Sequence, residues 1–401
     1  MDIKILTQKE EIAHRLLHHL CFAAPVDKDY KKWLDDPAKY SKDPETRLGA
    51  FDDSGNLLAA LQMIPYSMYF DGNPVKMCGI GSVVSAPEAR GSGIVNELMS
   101  RALSTMRDEN YMFSLLHPFS YDYYRKFGYE LGFTPNKAEI PIESFCKYPF
   151  PKNCVRFWDK SQGLSDIKYV YDIFKKGRNY AIDRDDKSWE EMMKDDPYIT
   201  KKYTYIHYDS QGVPDSYLIF RAGERPSRTR TEVNVNELAW STKAGLLSMF
   251  GFIGGLRPQY YKVIWVAPAD LDFASLFPEA LTISVKLSPS IMTRIINLPA
   301  ALRGLRAPAL FNGKVVLDIE DKSLPCNTGR YAISWENGKI SVDETGHPPD
   351  MATTIEAMAQ LVSGYQSPDM AVYRKDTAIY SRHEALLAIF PRKSLFLGDK
   401  F

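Results

Sequence analysis

The chain has 401 residues, of which 45% are hydrophobic and 25% charged, and its 50 basic residues balance its 50 acidic ones. A formal net charge of zero leaves no long-range field to draw it to nucleic acid or to an anionic membrane, and the length calls for two or three domains rather than one core. Five cysteines (Cys21, Cys78, Cys146, Cys154, Cys326) are scattered, with no C-x-x-C spacing, which argues against a disulfide frame or a zinc site and for reduced thiols in cytoplasm.

The N-terminus, Met1-Asp-Ile-Lys-Ile5, mixes acid and base, and no apolar run reaches the length needed to cross a bilayer. Glu10 to Phe22 carries apolar residues at helical spacing, and Tyr30 to Leu34 continues as a short aromatic segment. His14 and His18 lie one helical turn apart, but no third ligand has matching spacing; they read as helix-surface histidines, and no metal is expected. Thr46 to Asp52 and Leu57 to Phe70 alternate around Asp53-Ser-Gly-Asn56, a hairpin signal, and Asp71-Gly-Asn-Pro74 turns the chain into Val75 to Val84. An antiparallel sheet is predicted there.

Past Val84 the β-branched run meets Pro87, then Arg90-Gly-Ser-Gly93, then an amphipathic helix beginning near Ile94. Gly91 and Gly93 have no Cβ, so the backbone can approach a bulky anion, and the unpaired N–H groups of the helix start favour a phosphate there. The turn is no Walker loop, because Gly93 is followed by Ile94 and Val95 rather than by a lysine and a hydroxyl. It fits the dinucleotide fingerprint poorly too, with Asn96 where the third glycine belongs.

Tyr111 to His117 reads as a buried parallel strand, and Tyr121 to Tyr129 follows Pro118-Phe119-Ser120 as a short helix that ends at Gly128. Proline density rises over Lys147-Tyr-Pro-Phe-Pro151, where a boundary belongs, and Cys154 to Trp158 begins a new strand. Helices over Ile167 to Lys176 and Ser188 to Asp195 precede a hairpin, Tyr203 to Tyr208 with Ser216 to Ala222, and a strand, Val233 to Trp240. Another helix follows Trp240, with no Arg-x-x-Gly turn before it. The pattern changes near Val285; Val315 to Ile319 and Tyr331 to Ile340 read as strands, and Ala352 to Ser363 as a helix ending at Gly364.

The turn with Arg90 and Gly93 resembles the pyrophosphate turn of the GNAT acyl-CoA transferases, with Val95 departing from the small final residue, and Tyr124-Arg-Lys-Phe-Gly-Tyr129 resembles the signature that closes that fold. With the chain length and the aromatic last residue, Phe401, essentially the whole chain resembles the Eis family of N-acetyltransferases. The resemblance implies a mixed α/β, α+β fold: an N-terminal GNAT domain with the acetyl-CoA site (1–149), a degenerate GNAT-like domain without one (150–286) and a sterol-carrier-like domain (287–401). The last domain would open with a helix over Met292-Thr-Arg-Ile-Ile-Asn-Leu-Pro-Ala-Ala-Leu302.

It further implies acetyl-CoA as co-substrate. Val83, Val84 and Ser85 would line its acyl arm, Arg90, Gly91, Ser92, Gly93, Ile94, Val95 and Asn96 would hold the pyrophosphate, and Phe119 and Ser120 would flank it. Tyr124 would be the general acid and the α-carboxylate of Phe401 the base; His117, which ends an apolar strand beside the cleft, reads as a hydrogen-bonded structural residue. A free α-carboxyl titrates near 3.3–3.7, so a base there needs the desolvation that Leu395, Phe396 and Leu397 would supply. With no cysteine in the motif segments, direct attack by the amine is favoured over an acyl-enzyme. Polyamine- or aminoglycoside-like acceptors are implied, met by Asp27, Asp29, Asp35, Asp36 or Asp399, although Lys28, Lys31, Lys32 and Lys400 are interleaved with them. A protein-lysine acetyltransferase and a non-catalytic acyl-CoA-binding or sensing protein are the alternatives, and a homohexamer is implied.

Overall fold

The computed structural model describes residues 2–26, 28–36, 39, 47–223, 230–277, 279–309 and 311–399; the expected base Phe401 and the acid Asp27 lie outside the described residues. In chain order the strands are β1 (Asp2–Ile5), β2 (Arg47–Phe51), β3 (Leu57–Phe70), β4 (Asn73–Ser85), β5 (Phe113–Leu116), β6 (Glu130–Phe133), β7 (Asn136–Pro141), β8 (Val155–Phe157), β9 (Lys202–Tyr208), β10 (Pro214–Ala222), β11 (Thr231–Trp240), β12 (Tyr260–Ala267), β13 (Ser284–Leu287), β14 (Ile291–Ile295), β15 (Gly313–Glu320), β16 (Gly329–Glu336), β17 (Lys339–Glu344), β18 (Met351–Thr354) and β19 (Thr377–Ile379). The helices that matter for the argument are α1 (Gln8–Cys21), α2 (Lys31–Asp35), α3 (Ile94–Asp108), α4 (Tyr121–Arg125), α5 (Ser165–Lys176), α6 (Asp186–Met193), α7 (Lys243–Gly255), α8 (Leu298–Arg303) and α9 (Ile355–Ser363).

Among the described residues these strands form sheets ordered β1-β2-β3-β4-β5-β14-β6, β13-β7-β12-β11-β10-β9-β8 and β17-β16-β15-β18-β19. The first two repeat one plan. An antiparallel meander leads through a helix into a parallel neighbour: β4 through α3 to β5, and β11 through α7 to β12. β5 (Phe113-Ser-Leu-Leu116) is buried along its whole length, as a parallel strand covered on both faces should be. α3 turns Ile94, Leu98, Met99, Ala102, Leu103 and Met106 onto the sheet, and Glu97 in its first turn and Arg107 in its last suit the helix dipole.

The two repeats exchange strands across the expected boundaries at 149 and 286. β7 leaves the first repeat and pairs with β12 and β13 of the second sheet, whereas β14 returns from the second repeat to lie between β5 and β6 of the first. The crossings run side by side, with Ser288 N–H donating to Pro135 O and Ser290 N–H to Phe133 O, each at 3.3 Å. This corrects the expected helix over Met292 to Leu302. Its first part is β14, a β-branched stretch buried at every residue, and the helix is the short α8, opened by the Asn297 cap with Pro299 in its first turn.

The first and third sheets share one hydrophobic core that joins Phe70, Phe113 and Ile295 to Leu317, Trp335 and Met358. At its edge Arg294 of β14, wholly buried, meets both carboxylate oxygens of Asp321 at 2.7 Å. Gly128 lies against that guanidinium: its φ is +76°, and a Cβ there would stand 2.7 Å from Arg294 Cζ. The glycine that ends α4 is thus required by backbone conformation and by space alike.

Candidate active site

β4 and β5 pair in register only from Met77↔Phe113 to Ile80↔Leu116, yet β4 runs on to Ser85. Its edge beyond Ile80 has no partner strand among the described residues, and a wedge opens there. Within this stretch β4 carries a bulge, since Ala60 faces Val84 but Gln62 faces Gly81, and Ser82 adopts a left-handed φ of +46°. On the other edge Ala86 N–H still donates to Leu58 O at 2.8 Å, so the strand end is held on one side and open on the other.

The wedge leads into a cleft of about 620 Å³. Its walls are the end of β4 (Val83, Val84, Ser85), the turn (Ala89, Arg90, Gly91, Gly93), the start of α3 (Ile94, Val95, Asn96), Phe119, Tyr123 and Lys126 on the α4 side, and Cys21 and Phe22 at the end of α1. Gly91 and Gly93 have φ of +80° and +84°, and a Cβ on either would project into open space. Gly93 caps α3 with no side-chain hydrogen bond, so the first amides of the helix stay available to an anion. Arg90 and Lys126 add two cations, and no carboxylate is among the described residues lining the cleft. The arrangement offers free amides and two cations at the helix start and apolar side chains along the end of β4.

Ten of the twelve residues expected at the coenzyme line this cleft, and the two serines do other work. Ser92 Oγ donates to Ala89 O at 2.7 Å, holding the turn, and Ser120 Oγ accepts from Tyr123 N–H at 3.3 Å as the cap of α4. Tyr123, Lys126, Cys21, Phe22 and Ala89 line it without having been singled out. Tyr123 and Lys126 are three residues apart on the turn of chain that follows Phe119, so helical spacing was the available signal.

Tyr124 is buried, 3% exposed, with Phe119 and Tyr123 rings each 5.3 Å away and Tyr129 at 6.2 Å. Burial pushes its phenol well above the ordinary tyrosine value, and Tyr123 beside it adds to the rise. Tyr123 itself reaches the cleft wall and donates its hydroxyl to Asn96 Oδ1 at 3.1 Å; burial raises its phenol too. Cys78 on β4 is wholly buried, and burial drives its thiol up to about 12, so it is no nucleophile at neutral pH.

His14 corrects its expected surface position. It is 3% exposed, and Nε2 lies 3.1 Å from Ser82 O, to which it can only donate. Burial lowers its pKa to about 4, keeping the ring neutral, with Arg47 and His18 pulling the same way. His18 packs on Phe22, ring centroids 4.6 Å apart, and among the described residues no cluster of His, Cys, Asp or Glu could hold a metal. His117 is exposed just past the end of β5.

The expected acids do not gather. Asp29 pairs with Lys32 at 2.9 Å, Asp35 and Asp36 are exposed at the end of α2, and Asp399 is bound by Arg184. The tail that leads to Asp399 is docked. Leu395 bridges Asn179, Phe396 N–H donates to Asn179 O at 3.0 Å, and the Phe396 ring packs on Phe174 at 5.0 Å. The same 179–183 segment hydrogen-bonds β3 through Tyr69 and Ser67, and the charge of Asp399 is felt at Tyr66 of that strand.

In the second repeat the matching place is closed. Only Ser241 and Thr242 separate β11 from α7, and Thr242 Oγ1 accepts from Gly245 N–H at 2.9 Å while donating to Asp215 Oδ2 at 3.1 Å. Asp215 also takes His207 Nδ1 at 2.6 Å, so a buried carboxylate sits beside the helix start and repels an anion. A separate cavity of about 430 Å³ in this domain, lined by Trp158, Tyr198 and Asp195 among others, has neither a glycine turn nor a free helix start, and Asp195 is already paired with Lys202 at 3.4 Å.

Comparison with known proteins finds an acetyltransferase (GNAT) domain over residues 2–132, a second acetyltransferase (GNAT) domain over 181–295 and a sterol carrier protein domain over 298–379. An uncharacterized N-acetyltransferase of Streptomyces coelicolor is 23% identical over 315 residues, covering 73% of this chain and 72% of the relative. A GCN5-related N-acetyltransferase of Anabaena variabilis superposes with a TM-score of 0.86 at 22% identity over 100% of both chains. The Eis1 protein of Mycobacterium abscessus superposes with a TM-score of 0.81 at 18% identity, also over 100% of both. These two likenesses are of fold.

Proposed function

Because the chain is a GNAT N-acetyltransferase with an Eis-like fold, an acyltransferase using acetyl-CoA and an amine, we propose that it transfers acetyl directly to a small polyamine- or aminoglycoside-like acceptor. One observation carries this reading: the stretch of β4 that has no partner strand among the described residues runs into a glycine turn at an uncapped helix start, in a cleft whose described walls bear two cations and no acid. The edge offers backbone hydrogen bonds to the pantetheine amides, and the turn and α3 offer amides to the pyrophosphate. Phe119, 72% exposed, and Phe22 give the coenzyme apolar surface to lie on.

In the reaction the neutral amine attacks the thioester carbonyl, the C–N bond forms, and the C–S bond breaks with its electron pair leaving on sulfur. An aliphatic amine titrates near 10.4, so a base must first remove the ammonium proton. We assign that task to the α-carboxylate of Phe401. Two residues can span at most about 7 Å from Asp399, which Arg184 ties to the core of the second domain. Tyr124 supplies the proton that the departing thiolate takes up; its raised pKa keeps the phenol protonated throughout the working range. Exposed Leu281, Val285 and Leu287 on the second domain support burial in an assembly, for which we propose a homohexamer, and five free thiols support a cytoplasmic setting.

The test is release of coenzyme thiol from acetyl-CoA with a panel of polyamines, aminoglycosides and lysine peptides. Turnover with the small amines supports the reading, turnover with peptides alone replaces the acceptor class, and neither turnover nor acetyl-CoA binding overturns it. Appending one glycine after Phe401 moves the carboxylate while keeping the ring. Turnover that survives this unchanged removes Phe401 from the mechanism.

A further inference from the structure

We propose that His14 is a positioning residue for the coenzyme: its hydrogen bond to the Ser82 carbonyl fixes the bulge that presents the free edge of β4 to the cleft. The proposal rests on the reading of that cleft as the acetyl-CoA site. Ser82 is the residue of β4 held in a left-handed conformation, which a non-glycine residue keeps only when its surroundings impose it. The bulge adds a residue to β4 between Gly81 and Val84, directly after the last β5 pair at Ile80↔Leu116. A one-residue relaxation there would turn Val83, Val84 and Ser85 to the opposite faces.

α1 is what holds the bulge. His14 Nε2 donates to Ser82 O at 3.1 Å, and Cys21 Sγ, two helical turns further on, donates to Ser85 O at 3.3 Å. Between them Val84 packs in one cluster with Leu17 and Cys21. The helix thus grips both ends of the stretch from Ser82 to Ser85, whose last three residues line the cleft, and the imidazole is the buried end of that grip. The ring faces Glu11 on its own helix, His18 one turn on and Arg47 from β2, and Glu11 and Arg47 are paired with each other at 3.4 Å. Its donor is committed to the Ser82 carbonyl, and the ring does not line the cleft, so it acts on the coenzyme only through β4.

The experiment compares His14→Leu, His14→Asn and His14→Gln with the unaltered full chain in steady-state kinetics, in calorimetric CoA binding and in thermal melts. Leu fills the space with no donor, Asn falls short of the carbonyl, and Gln reaches about as far as Nε2. We expect folded Leu and Asn variants to raise the KM for acetyl-CoA and the Kd for CoA about tenfold, with the KM for the amine unchanged. Gln should restore both to within about twofold. Should Leu not fold, Asn and Gln carry the comparison. A folded Leu or Asn variant with ordinary CoA affinity overturns the proposal while leaving the acetyl-CoA reading standing. Failure of the unaltered chain to bind CoA removes that reading, and the proposal with it.

Discussion

Arg184 grips Asp399 side-on, Nε to Oδ1 at 2.8 Å and Nη2 to Oδ2 at 3.0 Å, and so ties the last described residue of the tail to the core of the second domain. The guanidinium is shared, since Nη1 donates to Glu237 Oε1 at 2.9 Å, the Tyr217 hydroxyl bonds the same carboxylate, and the rings of Tyr171 and Trp189 lie 4.2 and 4.8 Å from its Cζ. Two carboxylates lean on one buried cation. Burial, with the nearby Glu237 charge, raises the Asp399 carboxyl above its usual range despite Arg184. The second domain has its helix start filled by Asp215 and Thr242, and it holds a clamp for the tail in its core.

That clamp gives different outcomes at its two ends. Asp399→Asn leaves the Arg184–Glu237 pair intact and loosens only the tail, so melting should be nearly unchanged while kcat falls about tenfold or more and the KM for acetyl-CoA holds. Arg184→Leu strands Glu237 in the core, a loss of about 3–5 kcal/mol that a thermal melt would register as a large drop. If Asp399→Asn keeps full kcat, the tail's placement has no bearing on chemistry.

Tyr123 in the cleft wall and Tyr124 packed behind it offer two phenols, and they separate by substitution. Tyr124→Phe removes a proton donor and should cost about 10²–10⁴ in kcat with CoA binding intact. Tyr123→Phe removes only the bond to Asn96, a wall contact, and should act on the KM for acetyl-CoA by a few-fold. Because burial holds the Tyr124 phenol well above 10, the rate should show no fall between pH 8 and 10 from loss of its proton. The reverse pattern in the two variants would move the acid to Tyr123.

The glycine turn before α3 was legible in sequence because its geometry is local: Gly91, Gly93 and the helix start are set by conformation and position within a few residues. The exchange of β7 and β14 was not, since pairings such as Met292↔Leu116 join residues more than a hundred apart and no periodicity records them. The helix placed over Met292 failed for a nearer reason, because Asn297-Leu-Pro299 already carried the start signal five residues after Met292. α1 misled through its polar side chains. Glu11 and His14 look like a solvated face, yet both are buried, one against Arg47 and the other under Ser82 O. The second domain's closed helix start was legible as a missing turn, but the Asp215 that fills the place was not.

His14 also fixes a pH dependence of stability. Its pKa is about 4 in the folded chain against 6.5 unfolded, so between those values the unfolded chain binds a proton that the folded one refuses. The stabilisation is complete above pH 6.5 and is lost as the pH falls towards 4, by about 3 kcal/mol in all. His14→Gln has no such proton to bind. Melted side by side, the unaltered chain should lose ground to the variant between pH 7 and 4. A separation in Tm that stays constant over that range would show that the imidazole is not desolvated.

The strand exchange predicts where the chain can be cut. A fragment of residues 1–149 would keep β7 but lack β14, leaving the facing edges of β5 and β6 without the strand that pairs with Phe113 to Leu116 on one side and Glu130 to Phe133 on the other. It would also present Phe70, Phe113 and Leu115 without the third-domain residues that cover them. Open edges beside apolar surface drive association, so the fragment should aggregate or stay molten and bind no CoA. Both strands can be returned in trans, because β13 and β14 lie on one short stretch with the rest of the second sheet. Co-expression of 1–149 with 150–401 should therefore recover a soluble complex that binds CoA. A monomeric 1–149 fragment with a cooperative melt and CoA affinity of its own would mean that β14 is dispensable and that the repeats fold independently.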